Sequence, residues 1–308
     1  MTDHDPSRGV PRLVVAAFCF SVMSVLVKTA GQGLPVEMLV LARGVVTLVL
    51  SYGLLRHRGI DPWGVDKKRL VLRGVFGTGG LACFFYAVTQ LPLAEVTVIH
   101  FLNPIVTAVL AAVLLKERVG LGLVLALLAA VAGMLLVTRP SFLFDQAATT
   151  LPLPGVLAAL GGAFFSACAY VTVRRVIRTD DPHVVVFYFP LVAVPATLPF
   201  AIKSWVWPTA TGWLLLLGIG VVTQVAQVLL TQGLKLVEAG KGTAVGYIQI
   251  VFAAGWGLLL FDEKPSLMTG IGATLIVLAT ASLMAFERRQ RGAQSKSDGM
   301  PPSPQMRA

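Results

Sequence analysis

Thr97, His100, Asn103 and Thr107 recur at intervals of three and four in an otherwise apolar run, so they share one face of a helix. Pro104 sits inside this stripe, removes one backbone donor and leaves the carbonyl near His100 without its usual partner, which marks a kink. Hydroxyl, amide and imidazole groups in this arrangement can hold a small polar ligand. His100 can also be satisfied by a hydrogen bond within a bundle or serve as a proton carrier. Arg43 lies in another apolar run, about 12 Å in by helical rise. An arginine at that depth costs about 2.5–3.5 kcal/mol and needs a partner or a wet cavity. Two uses follow: a substrate-facing or gating cation, or a cap on backbone carbonyls of a neighbouring helix.

Later in the chain Gln224, Gln227 and Thr231 repeat the spacing of three and four, and Thr243 and Tyr247 do so in the next run, with Gln249 off that stripe. They form either a second polar rung or interhelical glue, the latter contributing about 0.6–2 kcal/mol per pair in lipid. Tyr86 completes the cavity candidates, and Glu95 stands at the mouth of the helix that carries the Asn103 stripe. Glu95 suits a gate or proton site, or else a solvated carboxylate at a helix start. Glu117 and Glu263 fall in tight loops and suit caps or loop ion pairs, and Lys28 and Arg174 are expected to snorkel to opposite surfaces.

Enzymatic chemistry finds no foothold in these residues. A membrane-embedded enzyme would need a convergent set such as HExxH, paired aspartates or a Ser-His pair, and of only four histidines His4, His57 and His183 fall at loops or run ends. Cys19, Cys83 and Cys168 lie inside apolar runs without metal-ligand spacing and read as small hydrophobes. Gly74, Gly77, Gly79 and Gly80 follow no strand and precede no Gly-Lys-Ser/Thr, so they serve close helix packing rather than a phosphate loop. No cofactor is implied, and proton or other ion coupling is left open. A channel would show a pore-lining repeat in a symmetric oligomer.

The elements that must position these groups follow from composition. Of 308 residues, 56% are hydrophobic and 13% charged, against about 25% charged in soluble domains. A soluble protein is excluded. Apolar runs of about 17–25 residues occupy positions 12–30, 35–55, 70–90, 94–115, 120–138, 154–174, 183–202, 211–232, 242–261 and 267–286, predicting ten transmembrane helices. The net charge of +10 resides in clusters between these runs, as in Arg56, Arg58, Lys67, Lys68 and Arg69 or Arg174, Arg175 and Arg178, whereas the alternate segments carry only Lys28, Arg139, Lys203 and Lys264. Such asymmetry places both termini in the cytoplasm of a plasma (inner) membrane and argues against nucleic acid as a partner. The expected partners are the lipid bilayer and a small-molecule metabolite, for a monomer or homodimer.

The second half of the chain repeats the first at an offset of 146 residues. Asn103 falls on Gln249, Phe101 on Tyr247, Arg43 on Phe189, Lys28 on Arg174, and Lys116-Glu117-Arg118 on Asp262-Glu263-Lys264. Five spans per half is odd, so the second copy enters the membrane in the opposite sense, as inverted-topology repeats do. The expected fold is all-α and integral to the membrane: residues 1–11 a cytoplasmic tail, 12–138 the first five-helix repeat, 139–153 an extracytoplasmic linker, 154–286 the second repeat, 287–308 a disordered cytoplasmic tail.

The stretch YAVTQLPLAEVTVIHFLNPIVTAVLAAVLLKERVG, followed by GLVLALLAAVAGMLLV, resembles the EamA-like members of the drug/metabolite transporter superfamily. The likeness extends from about residue 12 to 286, and the second copy departs from it with Asp262-Glu263-Lys264-Pro265. The resemblance implies a ten-helix bundle whose third, fourth, eighth and ninth helices surround a central cavity. It also implies secondary transport of a metabolite, in or out, without naming the substrate.

Overall fold

A computed structural model of the chain describes residues 6–91, 99–117, 120–138, 152–260 and 270–282, with positions 96, 143 and 267–268 beside them. Helices α1 (Pro6–Ala30), α2 (Val36–His57), α3 (Lys67–Gln90), α4 (Asn103–Leu115) and α5 (Leu121–Thr138) make up the first half. The second half holds α6 (Leu153–Val176), α7 (Pro182–Lys203), α8 (Ala210–Leu236), α9 (Ala239–Val245), α10 (Ile248–Leu260) and α11 (Gly270–Ser282). No strand occurs among the described residues. α1, α2, α6, α7 and α8 are long and apolar enough to cross a membrane, and α4, α5 and α11 are shorter apolar helices. The chain is a multi-pass membrane protein.

Polar residues fix the helix ends that charge and turn chemistry predict. Asp66 accepts from the Arg69 amide at 3.1 Å to start α3, and Thr209 accepts from the Gly212 amide at 3.1 Å to start α8. Asp181 starts α7 by accepting from the His183 amide at 2.8 Å, with the His183 ring nitrogen 2.6 Å away. Partial burial alone would raise its carboxyl, but the bonds from the His183 amide and ring outweigh it and hold Asp181 below the usual carboxylate range. Lys116 closes α4 in the left-handed region at φ 56°.

The principal helix pairs are α3 with α6, α1 with α8, and α2 with α7, joined by α2 with α8 and α3 with α7. Glycines make the closest approaches. Gly74 on α3 lies against Val192 on α7, and Gly220 on α8 lies against Val46 on α2, with no room for a Cβ at either. Gly9 meets Leu236 and Val237, while Gly155 meets Gln90 and Leu91. Each contact becomes its mate when one partner is advanced and the other moved back by 146 residues.

Small-residue contact is how helices gain packing in lipid, where no hydrophobic force separates tails from side chains. Gly220→Leu is therefore expected to lower stability by about 1–3 kcal/mol through overpacking. The control Gly53→Leu, at a position with nothing within 4 Å of an added Cβ, is expected to leave melting in detergent unchanged. Equal melting temperatures for the two variants would contradict the close α2–α8 contact.

The buried apolar residues are distributed unevenly along the bundle. At the end where α1 begins, one cluster gathers Leu13, Leu55, Leu70, Val176, Val185 and Leu234, from α1, α2, α3, α6, α7 and α8 together. At the opposite end two separate clusters form among the described residues. Ala30, Leu39, Leu216 and Ile219 join α1, α2 and α8, whereas Ala87, Leu91, Val96, Ile99 and Ala159 join α3, α6 and the residues before α4. A further cluster of Ala108, Leu127, Met134, Tyr247 and Ile276 packs α4 and α5 against α10 and α11.

Candidate functional site

Two helices break near the middle of their runs. The turn Phe101–Leu102 separates α4 from the residues ahead of it, and the turn Gly246–Tyr247 separates α9 from α10. Pro104 lacks the amide that would bond the His100 carbonyl, and the Ile105 amide donates to Leu102 at 3.0 Å instead of to Phe101. Two carbonyls are thereby freed, and side chains take both. Asn103 donates through Nδ2 to the His100 carbonyl at 2.9 Å, and the Tyr247 hydroxyl donates to the Phe101 carbonyl at 2.6 Å. The expected polar surround of the kink is thus built from Asn103 itself and from the helix break of the other half. The Phe101 and Tyr247 rings lie 5.8 Å apart.

Consequently Tyr247, expected to line the cavity, is wholly buried with its hydroxyl committed. Asn103 is buried as well, and its carbonyl accepts from Thr107 Oγ1 at 2.7 Å. His100 is half-buried against Phe84, with ring centroids 4.8 Å apart, and its Nδ1 has no hydrogen-bond partner among the described residues. Gln224 is buried on α8 and accepts through Oε1 from Ser51 Oγ on α2 at 3.0 Å, the interhelical use of an amide. Gln227 on α8 and Gln249 on α10 are half-buried. Tyr86 is exposed on α3, about 20 Å along the helix from Arg73. Glu95 lies outside the described residues, as does Glu263.

Arg43 has company that its own sequence surroundings do not announce. Its Cζ lies 5.5 Å from the centroid of the Phe189 ring on α7, and the Cζ of Arg73 on α3 lies 5.0 Å from the same centroid. Each such contact is worth about 0.5–2 kcal/mol, depending on desolvation. Tyr170 on α6 lies in the neighbourhood of both guanidinium groups. Gly77 makes the room: a Cβ there would collide with Arg73 Nη1 and the Phe189 ring. Arg73 is buried, and its Nε has no hydrogen-bond partner among the described residues. Thr78 Oγ1 on α3 and Thr223 Oγ1 on α8 are likewise buried without a hydrogen-bond partner there. The alternative use of Arg43, capping carbonyls of a neighbouring helix, has no bond to support it among the described residues.

Arg73, Tyr170 and Phe189 were not singled out from sequence as a site. The available signal was a second charge inside an apolar run, Arg73, in a chain whose carboxylates all fall at run ends, loops or tails.

The end where α1 begins is held by a polar lock. Arg174 Nη1 donates to the Leu234 and Lys235 carbonyls at 2.8 and 2.7 Å, and Arg174 Nε lies 3.4 Å from Glu117 Oε1. Glu117 Oε2 accepts from the Ala239 amide at 2.9 Å, so one carboxylate ties α4 to the start of α9 and to α6. Glu117 is thus the cap and loop ion pair its position suggests. Arg174 differs from expectation: it does not snorkel but is 3% exposed, because the carbonyls at the end of α8 and the Glu117 carboxylate offer it better partners than headgroups.

The EamA-like transporter family matches the chain twice, over residues 7–139 and 153–285. The pseudopaline exporter CntI of Pseudomonas aeruginosa is 35% identical over 286 residues, covering 92% of this chain and 97% of its own. Solute carrier family 35 member G1 of Mus musculus is 30% identical over 89% of this chain and 77% of its own. The riboflavin transporter of Vibrio cholerae is 24% identical over 93% of this chain. A solved crystal structure, 22% identical, shares the fold with a TM-score of 0.80 and covers 92% of this chain and 99% of its own.

Proposed function

Because this chain belongs to the EamA-like transporter family and is a membrane transporter by descent, we propose that it moves a small polar or amphipathic metabolite by alternating access around a midplane cavity. Residues 12–138 and 154–286 act as two inverted five-helix halves, ten spans in all, joined by an extracytoplasmic linker over 139–153, with both termini in the cytoplasm and the protein in the plasma membrane. Support for the inversion comes from the contacts that exchange halves under a shift of 146 residues, Gly74 with Val192 and Gly220 with Val46 among them. No cofactor or catalytic residue enters this reading. One chain holds both halves of the site, so a monomer suffices.

The observation that carries the proposal is the uneven packing of the two ends. Where α1 begins, six helices share one apolar cluster and the Arg174–Glu117 lock joins α4, α6, α8 and α9, whereas among the described residues the opposite end divides into two clusters. A bundle closed at one end and parted at the other is one of the two states that rocking of paired halves requires. With the termini inside, the parted end faces outward.

Purified protein in liposomes, offered labelled amino acids, nucleosides, vitamins and carboxylates, is expected to show saturable uptake of one class, accelerated by unlabelled compound on the far side. Ala111 on α4 and Ala239 on α9 pack together in the closed end. Cysteines at these two positions, in a background without Cys19, Cys83 and Cys168, should block uptake when crosslinked and restore it on reduction. Uptake that rises linearly with concentration and ignores compound on the far side would favour a channel instead.

A further inference from the structure

We infer that the substrate is an organic anion, held by its carboxylate groups between Arg43 and Arg73 over the Phe189 ring, an inference that rests on the carrier reading above. The two guanidinium groups approach one ring from α2 and α3, at 5.5 and 5.0 Å, in the middle of the bundle. Neither has a hydrogen-bond acceptor or a carboxylate among the described residues, and the chain places no Asp or Glu within the interior of any apolar run. Two like charges against one ring, Arg73 buried and Arg43 half-buried, repel one another and lack the counter-charge that intramembrane cations almost always have. The chain could have avoided the cost with any apolar residue at position 73, which is 5% exposed. Instead Gly77 gives up a side chain so that the Arg73 guanidinium and the Phe189 ring fit against α3.

Paired guanidinium forks match carboxylates in a way that ammonium groups do not, since each offers parallel N–H donors in a plane. Contact with the Phe189 ring occupies neither cation's N–H donors with an acceptor and so leaves them to a ligand. The buried, unbonded Arg73 Nε supplies a further hydrogen bond. An incoming anion relieves the repulsion between the arginines as it satisfies their donors. A cationic substrate would meet the opposite: two fixed positive charges in a low-dielectric surround.

The test is thermal unfolding of the full-length protein in detergent with succinate, citrate, glutamate, adenosine, riboflavin and choline as probes. A ligand that binds only the folded state raises the melting temperature in a saturable manner. At least one of the three carboxylates is expected to do so, and adenosine and choline are not. Arg43→Gln and Arg73→Gln should each weaken that binding by tenfold or more, Arg73→Lys by less, with melting of the unliganded variants showing that they fold. Where a glutamine variant does not fold, competition by sulfate against the carboxylate on the wild type replaces it. The inference is overturned if no carboxylate stabilises the protein, if the stabilisation survives both arginine substitutions, or if sulfate fails to compete. Uptake of choline or riboflavin that ignores Arg73→Gln would also overturn it while leaving the carrier reading intact. Arginine-dependent carboxylate binding without uptake would leave the anion site standing and remove the carrier reading.

Discussion

Arg174→Ala is expected to destabilise the protein by about 3–5 kcal/mol, the cost of breaking a buried ion pair from one side. The guanidinium is 3% exposed and supplies the donors for the Leu234 and Lys235 carbonyls, and its loss leaves both carbonyls and the Glu117 carboxylate without it. Glu117→Gln should cost less, because a glutamine carbonyl still accepts from the Ala239 amide that now lies 2.9 Å from Oε2. The lock also joins elements that must part if the closed end opens: α4, α6, the end of α8 and the start of α9. Alkylation of a cysteine at Val237, 1% exposed in this packing, is therefore expected to rise at least tenfold in Arg174→Ala, as a shift of about 1.4 kcal/mol between closed and open forms already gives. A fall in melting temperature without faster alkylation would make Arg174 a fold residue and not part of a gate. At the 146-residue offset the counterpart of Arg174 is Lys28, exposed near the opposite end of the bundle.

Tyr247→Ala should cost about 3–5 kcal/mol, since it empties the volume of a wholly buried aromatic ring. Tyr247→Phe isolates the hydroxyl. That variant keeps the ring against Phe101 but leaves the Phe101 carbonyl without its donor, at a cost of about 1–3 kcal/mol. The difference between the two variants, read from melting in detergent, separates packing from hydrogen bonding. If phenylalanine melts like wild type, the Phe101 carbonyl has another donor and the two helix breaks are not coupled through this bond. The coupling matters because Phe101 and Tyr247 are equivalents at the 146-residue offset, so the bond joins matching positions of the two halves. The same is true of Arg43 and Phe189.

Much of the architecture was legible from residues alone. The apolar runs, the charge asymmetry and the repeat at 146 residues predicted where helices lie, because a bilayer leaves a spanning segment little choice: its backbone must bond internally and its surface must be apolar. Pro104 announced the break before α4, since a missing amide is a local, chemical fact. The break at Gly246–Tyr247 carries no proline, and the run 242–261 reads from sequence as one helix.

Partners across the bundle were a different matter. Whether a polar residue is spent or free depends on what stands opposite, and that is settled by packing between segments far apart in the chain. Asn103, a ligand candidate by type and spacing, caps its own helix break; Tyr247 bolts the two halves together; Gln224 ties α8 to Ser51. Arg174, expected at a surface, is buried in carbonyls that no local pattern could place beside it. Arg43 stood out by depth alone, whereas Arg73 came to Phe189 only because Gly74 and Gly77 let α3 approach α7. Sequence determined the medium, the helices and the repeat, since each follows from local polarity and period. The tertiary structure decided which polar groups are already paired and which two cations face the same ring, since charge and hydrogen-bond satisfaction are properties of neighbours in space.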